Sequence, residues 1–169
     1  MRLQRRVYRP RLVPCPLRRK GRRPLGGRCN PIGVAALATA WRRATAWRAA
    51  PQGFAFKPQA LTISADEVDG ADVADLTDPR TRADVAVESA DLAGAWGDRA
   101  ARGREPPSWA LARRRIAAGT AALVVPSCAP DATEDDRNLV FWRGSETLPH
   151  RVVVIHDAGR RPQAPRSWS

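Results

Sequence analysis

Apolar and polar positions alternate along Gln59–Ala65, with Leu61, Ile63 and Ala65 facing one way and Thr62 and Ser64 the other. A period of two over this length predicts a half-buried strand. Shorter apolar runs at Val34–Leu37, Val73–Leu76, Ala121–Val125, Leu139–Trp142 and Arg151–Ile155 read as further strands. The turn Thr77-Asp78-Pro79 closes the second of these runs. Three stretches read as helices. Trp41–Ala50 stops at Pro51, which has no N–H to continue the ladder. Ala90–Ala101 is rich in alanine, the best helix former. A third helix starts at Pro106-Pro107-Ser108, with Ser108 as its N-cap, and Gly119 ends it.

Between these elements, residues 9–25 are rich in proline and arginine and are expected to form an irregular loop. Residues 157–169 read as a tail with little core to join. A chain of 169 residues is long enough for one domain with its own core. The expected fold class is α+β, a compact single domain whose mixed sheet carries inserted helices. Residues 1–25 are expected to hold a basic strand and its loop, residues 26–156 the body of the domain, and residues 157–169 the tail. No strand leads into a dinucleotide-binding or nucleoside-triphosphate-binding glycine loop, and no internal repeat is visible.

Charge changes this picture in one third of the chain. Residues 1–50 hold 14 Arg or Lys and no Asp or Glu, whereas residues 51–169 hold 15 basic and 17 acidic residues. A basic segment of this kind suits nucleic acid, an acidic protein or a phosphorylated small molecule, and equally a solvated face. Its aromatics are few (Tyr8, Trp41, Trp47), and no zinc-finger, RNA-binding or basic-zipper spacing accompanies them. Direct nucleic-acid binding is therefore not expected. No run of 18 apolar residues occurs, so no membrane span is expected. The N-terminus has the composition of an organelle transit peptide, but it lacks serine before Ser64 and is broken by Pro10, Pro14 and Pro16. The expected location is the cytoplasm. Cys15, Cys29 and Cys128 are odd in number and show no metal-ligand spacing, and His150 and His156 lack partners at such spacing. No metal site is expected.

Three constellations carry chemistry. In Gly26-Gly27-Arg28-Cys29-Asn30-Pro31-Ile32-Gly33 an arginine stands in a glycine turn. Glycine allows close approach and positive φ, and the guanidinium is a planar fork for phosphate oxygens. Arg28 is the candidate anion contact, with Asn30 fixing the turn; a tight loop with a solvent-facing arginine is the competing reading. The following stretch, Val34 to Gly53, contains no carboxylate. In Val124-Val125-Pro126-Ser127-Cys128 a strand ends at proline and sets the Ser127 hydroxyl at its tip, where binding groups collect; the alternative is that Ser127 caps the next turn. No Gly-x-Ser-x-Gly elbow surrounds Ser127, which argues against a Ser-His-Asp hydrolase. In Asp136-Arg137-Asn138, a polar pair precedes an apolar strand, and Asn138 is either a ligand contact or a turn residue.

Taken in order, GGRCNPIG (26–33), QGFAFKPQALT (52–62), VADLTDP (73–79), GREPPSWALARR (103–114), VPSCAP (125–130), RNLVFWR (137–143) and LPHRVVVI (148–155) resemble the RES-domain family, from about Val7 to Trp168. The resemblance implies an ADP-ribosyltransferase-like fold and the toxin half of a bacterial toxin–antitoxin pair. Such a toxin cleaves the nicotinamide–ribose bond of NAD+ by hydrolysis or phosphorolysis. It implies NAD+ as substrate with no resident cofactor, and a small antitoxin with an Xre-like helix-turn-helix as partner. Carried over by motif, the family's arginine falls on Arg28 and its serine on Ser127, both expected as catalytic, while Asn30 and Asn138 are expected to bind substrate. The family's tyrosine, ten residues after the arginine, meets Ala38, and its glutamate, eleven further on, meets Ala49. Cleavage at ribose builds oxocarbenium-like charge that a carboxylate stabilises, and here that side chain is missing. Asp66 and Glu67 are the acidic residues that distant folding would have to bring in.

Overall fold

The computed structural model describes residues 1–12, 26–50 and 61–155. In chain order its elements are β1 (Leu3–Leu12), β2 (Leu37–Ala40), α1 (Arg43–Ala49), β3 (Leu61–Gly70), β4 (Val73–Asp75), α2 (Pro79–Asp84), α3 (Ser89–Ala93), α4 (Trp96–Ala101), α5 (Pro107–Ala117), β5 (Ala122–Pro126), β6 (Arg137–Phe141) and β7 (His150–Ile155). The expected tail 157–169, Cys15 and His156 lie outside the described residues, as does most of the QGFAFKPQALT motif. Among the described residues no helix is long and apolar enough to cross a membrane.

The strands form one mixed sheet in the order β4-β5-β6-β2-β1-β3-β7, with only β4–β5 parallel. Strands β1 and β2 share a single register pair, Tyr8 with Ala40, so the sheet is thinly joined at its centre. There it folds over. A Cβ added to Gly70 on β3 would stand 2.7 Å from the Phe141 ring on β6, three strands away in the order. The amino terminus likewise donates to the Val73 carbonyl at 2.7 Å, and Val73 N–H to the Met1 carbonyl at 2.9 Å. Glycine at position 70 is what lets the two halves of the sheet meet.

Folding the sheet creates two cores. The inner one packs Val7, Val68 and Val152 against Leu37, Val124, Leu139 and Phe141. The outer one packs Leu123, Val125 and Val140 under Leu92 of α3, Leu111 of α5 and Cys29. Alternation of side chains along each strand assigns the two sets to opposite faces.

Several elements depart from the sequence expectation. Residues 9–12 belong to β1 and not to the loop expected there. The β1–β2 pairing stops at Tyr8, so beyond it β1 is bonded on one side only, and Pro10 is tolerated as on any edge. The strand expected at Val34–Leu37 instead runs Leu37–Ala40, opposite β6. The helix expected over Ala90–Ala101 is two short helices broken at Gly94. Helix α5 is capped by Pro106 with Pro107 in its first turn, and Ser108 is buried within that turn rather than being the N-cap. Helix α2 follows the expected turn, where the Asp78 carboxylate accepts from Arg80 and Thr81 N–H at 3.2 and 3.1 Å.

The antiparallel register of β1 on β3 sets basic residues beside acidic ones. Arg2 makes a two-pronged contact with Asp69 at 2.7 and 2.8 Å, and Arg6 reaches Glu67 at 3.1 Å. Arg9 meets Asp66 at 2.8 and 3.0 Å with both side chains buried. Burial pulls the Arg9 guanidinium below its ordinary value, and the Asp66 carboxylate opposes that pull. Arg5 lies over the Trp41 ring at 3.8 Å. Acid residues of β3 thus pair with Arg2, Arg6 and Arg9, three of the basic residues that made the N-terminus look like a polyanion-binding segment.

A buried pair is stabilised mainly by having both members present. Asp66→Ala is expected to cost about 3–5 kcal/mol, because Arg9 keeps a buried charge. Arg9→Met with Asp66→Leu is expected to cost less than that single change. Urea unfolding of the two variants checks the order.

Candidate functional site

The turn at residues 26–33 is a tight hairpin whose ends bond to each other. Gly27 N–H donates to the Asn30 carbonyl at 2.8 Å, and Asn30 N–H to the Gly27 carbonyl at 3.2 Å. The Trp109 indole N–H of α5 donates to the Gly27 carbonyl at 2.7 Å. Gly26 has φ +66°, and a Cβ there would stand 2.9 Å from both the Asn30 carbonyl oxygen and the Trp109 ring. No other residue type fits that position without strain.

Arg28 is half-buried and does not face solvent alone. Its Nη1 donates to the carbonyls of Leu92 and Gly94, each at 2.8 Å, at the end of α3. Those carbonyls are left open because α3 stops at Gly94. Nε and Nη2 keep no partner among the described residues, so the fork retains donors for an anion. Asn30 is buried, and its Oδ1 has no hydrogen-bond partner among the described residues. An orphaned buried acceptor costs about 1–3 kcal/mol unless something donates to it.

Ser127 stands one residue beyond β5, at the strand tip as expected. Its N–H donates to the Asp136 carbonyl at 2.8 Å, and its hydroxyl accepts from Ala129 N–H at 3.2 Å. The turn-capping reading of Ser127 is thus present in the structure. The following residue returns to the arginine turn, since the Cys128 Sγ lies 3.8 Å from the Leu92 carbonyl that Arg28 also holds. Cys29 lies in the same core cluster as Leu92, and burial pushes its thiol up to about 12. The structure therefore brings the Arg28 turn and the Ser127 exit together around the end of α3. A thiol that reluctant to ionise is no nucleophile.

Helix α1 is tied to the same loop. Arg48 Nη1 donates to the Asp131 carbonyl at 2.7 Å and to the Pro130 carbonyl at 3.4 Å. Beneath it the buried Asp136 accepts from Thr133 N–H at 2.9 Å, from the Thr133 hydroxyl at 3.1 Å and from the Thr45 hydroxyl. Position 49, where the glutamate would stand, is thereby held beside the loop that carries Ser127, and it is Ala49, half-buried at the end of α1.

Asn138 lies within β6 and is no turn residue. It pairs across to Ala40 on β2 and to Val125 on β5. Side-chain alternation puts Asn138, Ala40, Ala38 and Val140 on the face that carries α3 and α5. Ala38 sits in the middle of the sheet on that face and is nevertheless exposed, although its neighbours Leu37 and Thr39 are buried. Concavities of about 140 and 210 Å³ lie elsewhere, the first among α3, α4 and α5 beside Gly94, the second over β1 and β3. Neither is lined by Arg28 or Ser127, and the chemistry of the side chains outweighs the depth of those hollows.

Asp66 and Glu67 do not reach this place. Asp66 is in the buried pair with Arg9 on the inner core side, and Glu67 pairs with Arg6. Among the described residues no group of His, Cys, Asp and Glu is arranged to hold a metal ion. His150 sits against Asp72 at 3.3 Å, far along the chain from the arginine turn. Sequence reasoning missed Arg48 and Asp136, which position the site without touching its open face. Their only sequence signal is an arginine and an aspartate next to residues already singled out.

Comparison with known proteins gives one family and one fold. A family model described as the RES domain matches residues 2–168. Among solved structures, a chain of the M. tuberculosis MbcT–MbcA toxin–antitoxin complex is similar with a TM-score of 0.64 and 20% identity, over 91% of this chain and 82% of that one. At that identity the likeness establishes the fold. No curated protein sequence matches the chain.

Hydrogen bonds, first from Thr133 N–H and then from the Thr45 hydroxyl, hold the Asp136 carboxyl below its ordinary value. A depressed folded value gives stability that is complete above the unfolded value, near pH 4, and is lost as pH falls through the folded value. The unfolding temperature of the native chain is therefore expected to drop below about pH 4 more steeply than that of Asp136→Asn. Parallel melts between neutral pH and pH 3 measure the difference.

Proposed function

Since the chain belongs to the RES-domain family over residues 2–168, we propose that it is the toxin of a toxin–antitoxin pair and that its substrate is NAD+. The fold shared with a chain of a toxin–antitoxin complex supports this reading. So does one feature of the site. The Arg28 fork, the orphaned Asn30 Oδ1 and the Ser127 tip converge around the end of α3, on the face where Ala38 leaves the central strand uncovered.

In this reading the open side of the Arg28 guanidinium takes the pyrophosphate of NAD+. Asn30 and Asn138 contact the remainder of the substrate. Ser127, one hydrogen bond away from the turn it caps, places a hydroxyl at the reacting sugar. The bond broken is that between nicotinamide and ribose, and water or phosphate is the nucleophile. Oxocarbenium-like charge then develops on the ribose with no carboxylate at position 49 to stabilise it. One well-placed acid or base contributes roughly 10²–10⁴ in rate, so turnover is expected to be slow by about that factor. The partner in this reading is a small antitoxin with an Xre-like helix-turn-helix, and the site of action is the cytoplasm.

The substitutions Ala38 and Ala49 favour a second reading, a RES-fold protein that binds the same ligand or its antitoxin without turnover. Nucleic-acid binding by the basic N-terminus is disfavoured by the pairing of Arg2, Arg6 and Arg9 with Asp69, Glu67 and Asp66.

Incubating the protein with NAD+, with and without phosphate, is expected to release nicotinamide slowly and above the level of Arg28→Ala and Ser127→Ala. Ala38→Tyr with Ala49→Glu is expected to raise the rate by roughly 10²-fold or more. Release equal to that of both controls, with NAD+ still bound, establishes the binding reading. No release and no NAD+ binding in either the native or the double variant overturns the assignment.

A further inference from the structure

One motif remains without a role. GREPPSWALARR (103–114) opens α5, and the N-terminus of that helix faces the hollow of about 140 Å³ next to α3 and α4. We propose that this hollow is a binding site for a single phosphate-sized oxyanion, held by Ser108, Arg99 and Trp96. The proposal does not depend on NAD+ cleavage at Arg28.

Donors outnumber free acceptors around the hollow. Helix α5 has 11 residues, no side-chain cap and no acidic residue in its first turn. Its start therefore carries uncompensated positive dipole. Pro107 has no N–H, and the Pro106 carbonyl takes Trp109 and Ala110 N–H at 2.9 and 3.3 Å. Ser108 N–H remains the unpaired backbone donor of that turn among the described residues. The acceptors nearby are already committed. The Ala90 carbonyl takes Gly94 N–H at 3.0 Å, and the Gly94 carbonyl takes Arg28 at 2.8 Å. Asp91, which also borders the hollow, accepts from Glu88 N–H at 3.2 Å.

Apart from the dipole, Ser108 itself calls for a ligand. Ser108 is 1% exposed, lines the hollow, and its hydroxyl has no hydrogen-bond partner among the described residues. The Ser108 hydroxyl is not among the fully enclosed orphan atoms, so the trace of surface the residue keeps is at its oxygen. A buried hydroxyl without a partner is costly unless a ligand or water satisfies it. Arg99 lines the same hollow, is exposed, and forms no ion pair among the described residues. It borders the hollow together with Asp91 and offsets that charge. Trp96, tilted against Trp109 with ring centroids 6.3 Å apart, supplies an apolar wall and an indole donor.

Size limits the ligand. Pockets that enclose a drug-sized molecule run to roughly 300–1,000 Å³, so 140 Å³ takes a phosphoryl group and not a whole dinucleotide. The anion is inorganic phosphate or the phosphoryl end of a nucleotide whose remainder lies outside against Trp96.

Titration of the full chain with inorganic phosphate and separately with AMP, at constant ionic strength, followed by amide and indole proton resonances, tests the site. Saturable movement of the Ser108 amide and Trp96 indole signals is expected, with affinity at least about 10-fold weaker in Arg99→Gln and in Ser108→Ala, as for loss of a charge-assisted bond. Arg99 is on the surface, so Arg99→Gln remains informative if Ser108→Ala folds poorly. Tighter binding of AMP than of phosphate assigns the site to a nucleotide phosphoryl group, and equal binding assigns it to free phosphate. Unmoved Ser108 and Trp96 signals with both ligands, or movement undiminished in Arg99→Gln, overturns the proposal. A response confined to the Arg28 turn also overturns it and leaves the NAD+ reading standing.

Discussion

The pairing of β1 with β3 is the interaction on which the rest of this fold depends. Strand β1 carries Arg5, Arg6, Arg9 and Arg11, with Arg2 just before it, a row that would repel itself in isolation. Strand β3 answers with Asp66, Glu67 and Asp69. The register that joins them also turns Val7 and Val68 to the inner core. A slip of one residue would expose both valines and separate the buried Arg9–Asp66 pair. Charge and hydrophobic burial thus select the same alignment. Because β1 is joined to β2 by a single register pair, that alignment also positions one half of the sheet over the other.

Arginine serves this chain as a cross-linker of loops. Arg28 holds the Leu92 and Gly94 carbonyls, Arg48 those of Pro130 and Asp131, and Arg82 those of Leu76 and Thr77. In each case a planar fork satisfies carbonyls that a short helix or a turn leaves open. Short helices with few buried residues need such ties, since their own ladders are only marginally stable. The candidate site is an outcome of the same habit. Its parts come from the turn at 26–33, the exit of β5 and the end of α1, and arginines clamp them to one another. The Arg48 clamp also fixes the end of α1, and with it Ala49, beside the turn at Pro130 and Asp131.

Much of this was legible in the sequence. Alternation located β3 and the apolar runs located β4 to β7, because strands half-buried in a sheet must show their two faces. Pro107 and Gly119 marked α5. The glycine turn around Arg28 and the hydroxyl at the tip of β5 stood out by residue type alone. The break in Ala90–Ala101 did not, because alanine propensity argues for a continuous helix. Alpha-helical geometry stops at Gly94, and the carbonyl left open there is taken by a partner 66 residues away, the guanidinium of Arg28. The extension of β1 through Pro10 was hidden for a similar reason. Proline weighs against a strand unless one edge of that strand is known to be unpaired.

The sequence by itself determined the class of fold, the glycine turn bearing Arg28 and the strand tip bearing Ser127. These follow from periodicity and from residue identity, which are local properties. Only the tertiary structure decided that Arg2, Arg6 and Arg9 are paired with acids of β3, and that Arg28 spends one nitrogen on the end of α3. It alone decided that Asn138 lies in a strand and that Ala38 is exposed at the centre of the sheet. Each of these depends on which distant segment a charge or a carbonyl meets. Coulomb and hydrogen-bond energies are set by distance in space, and separation along the chain does not fix that distance until the sheet has folded over.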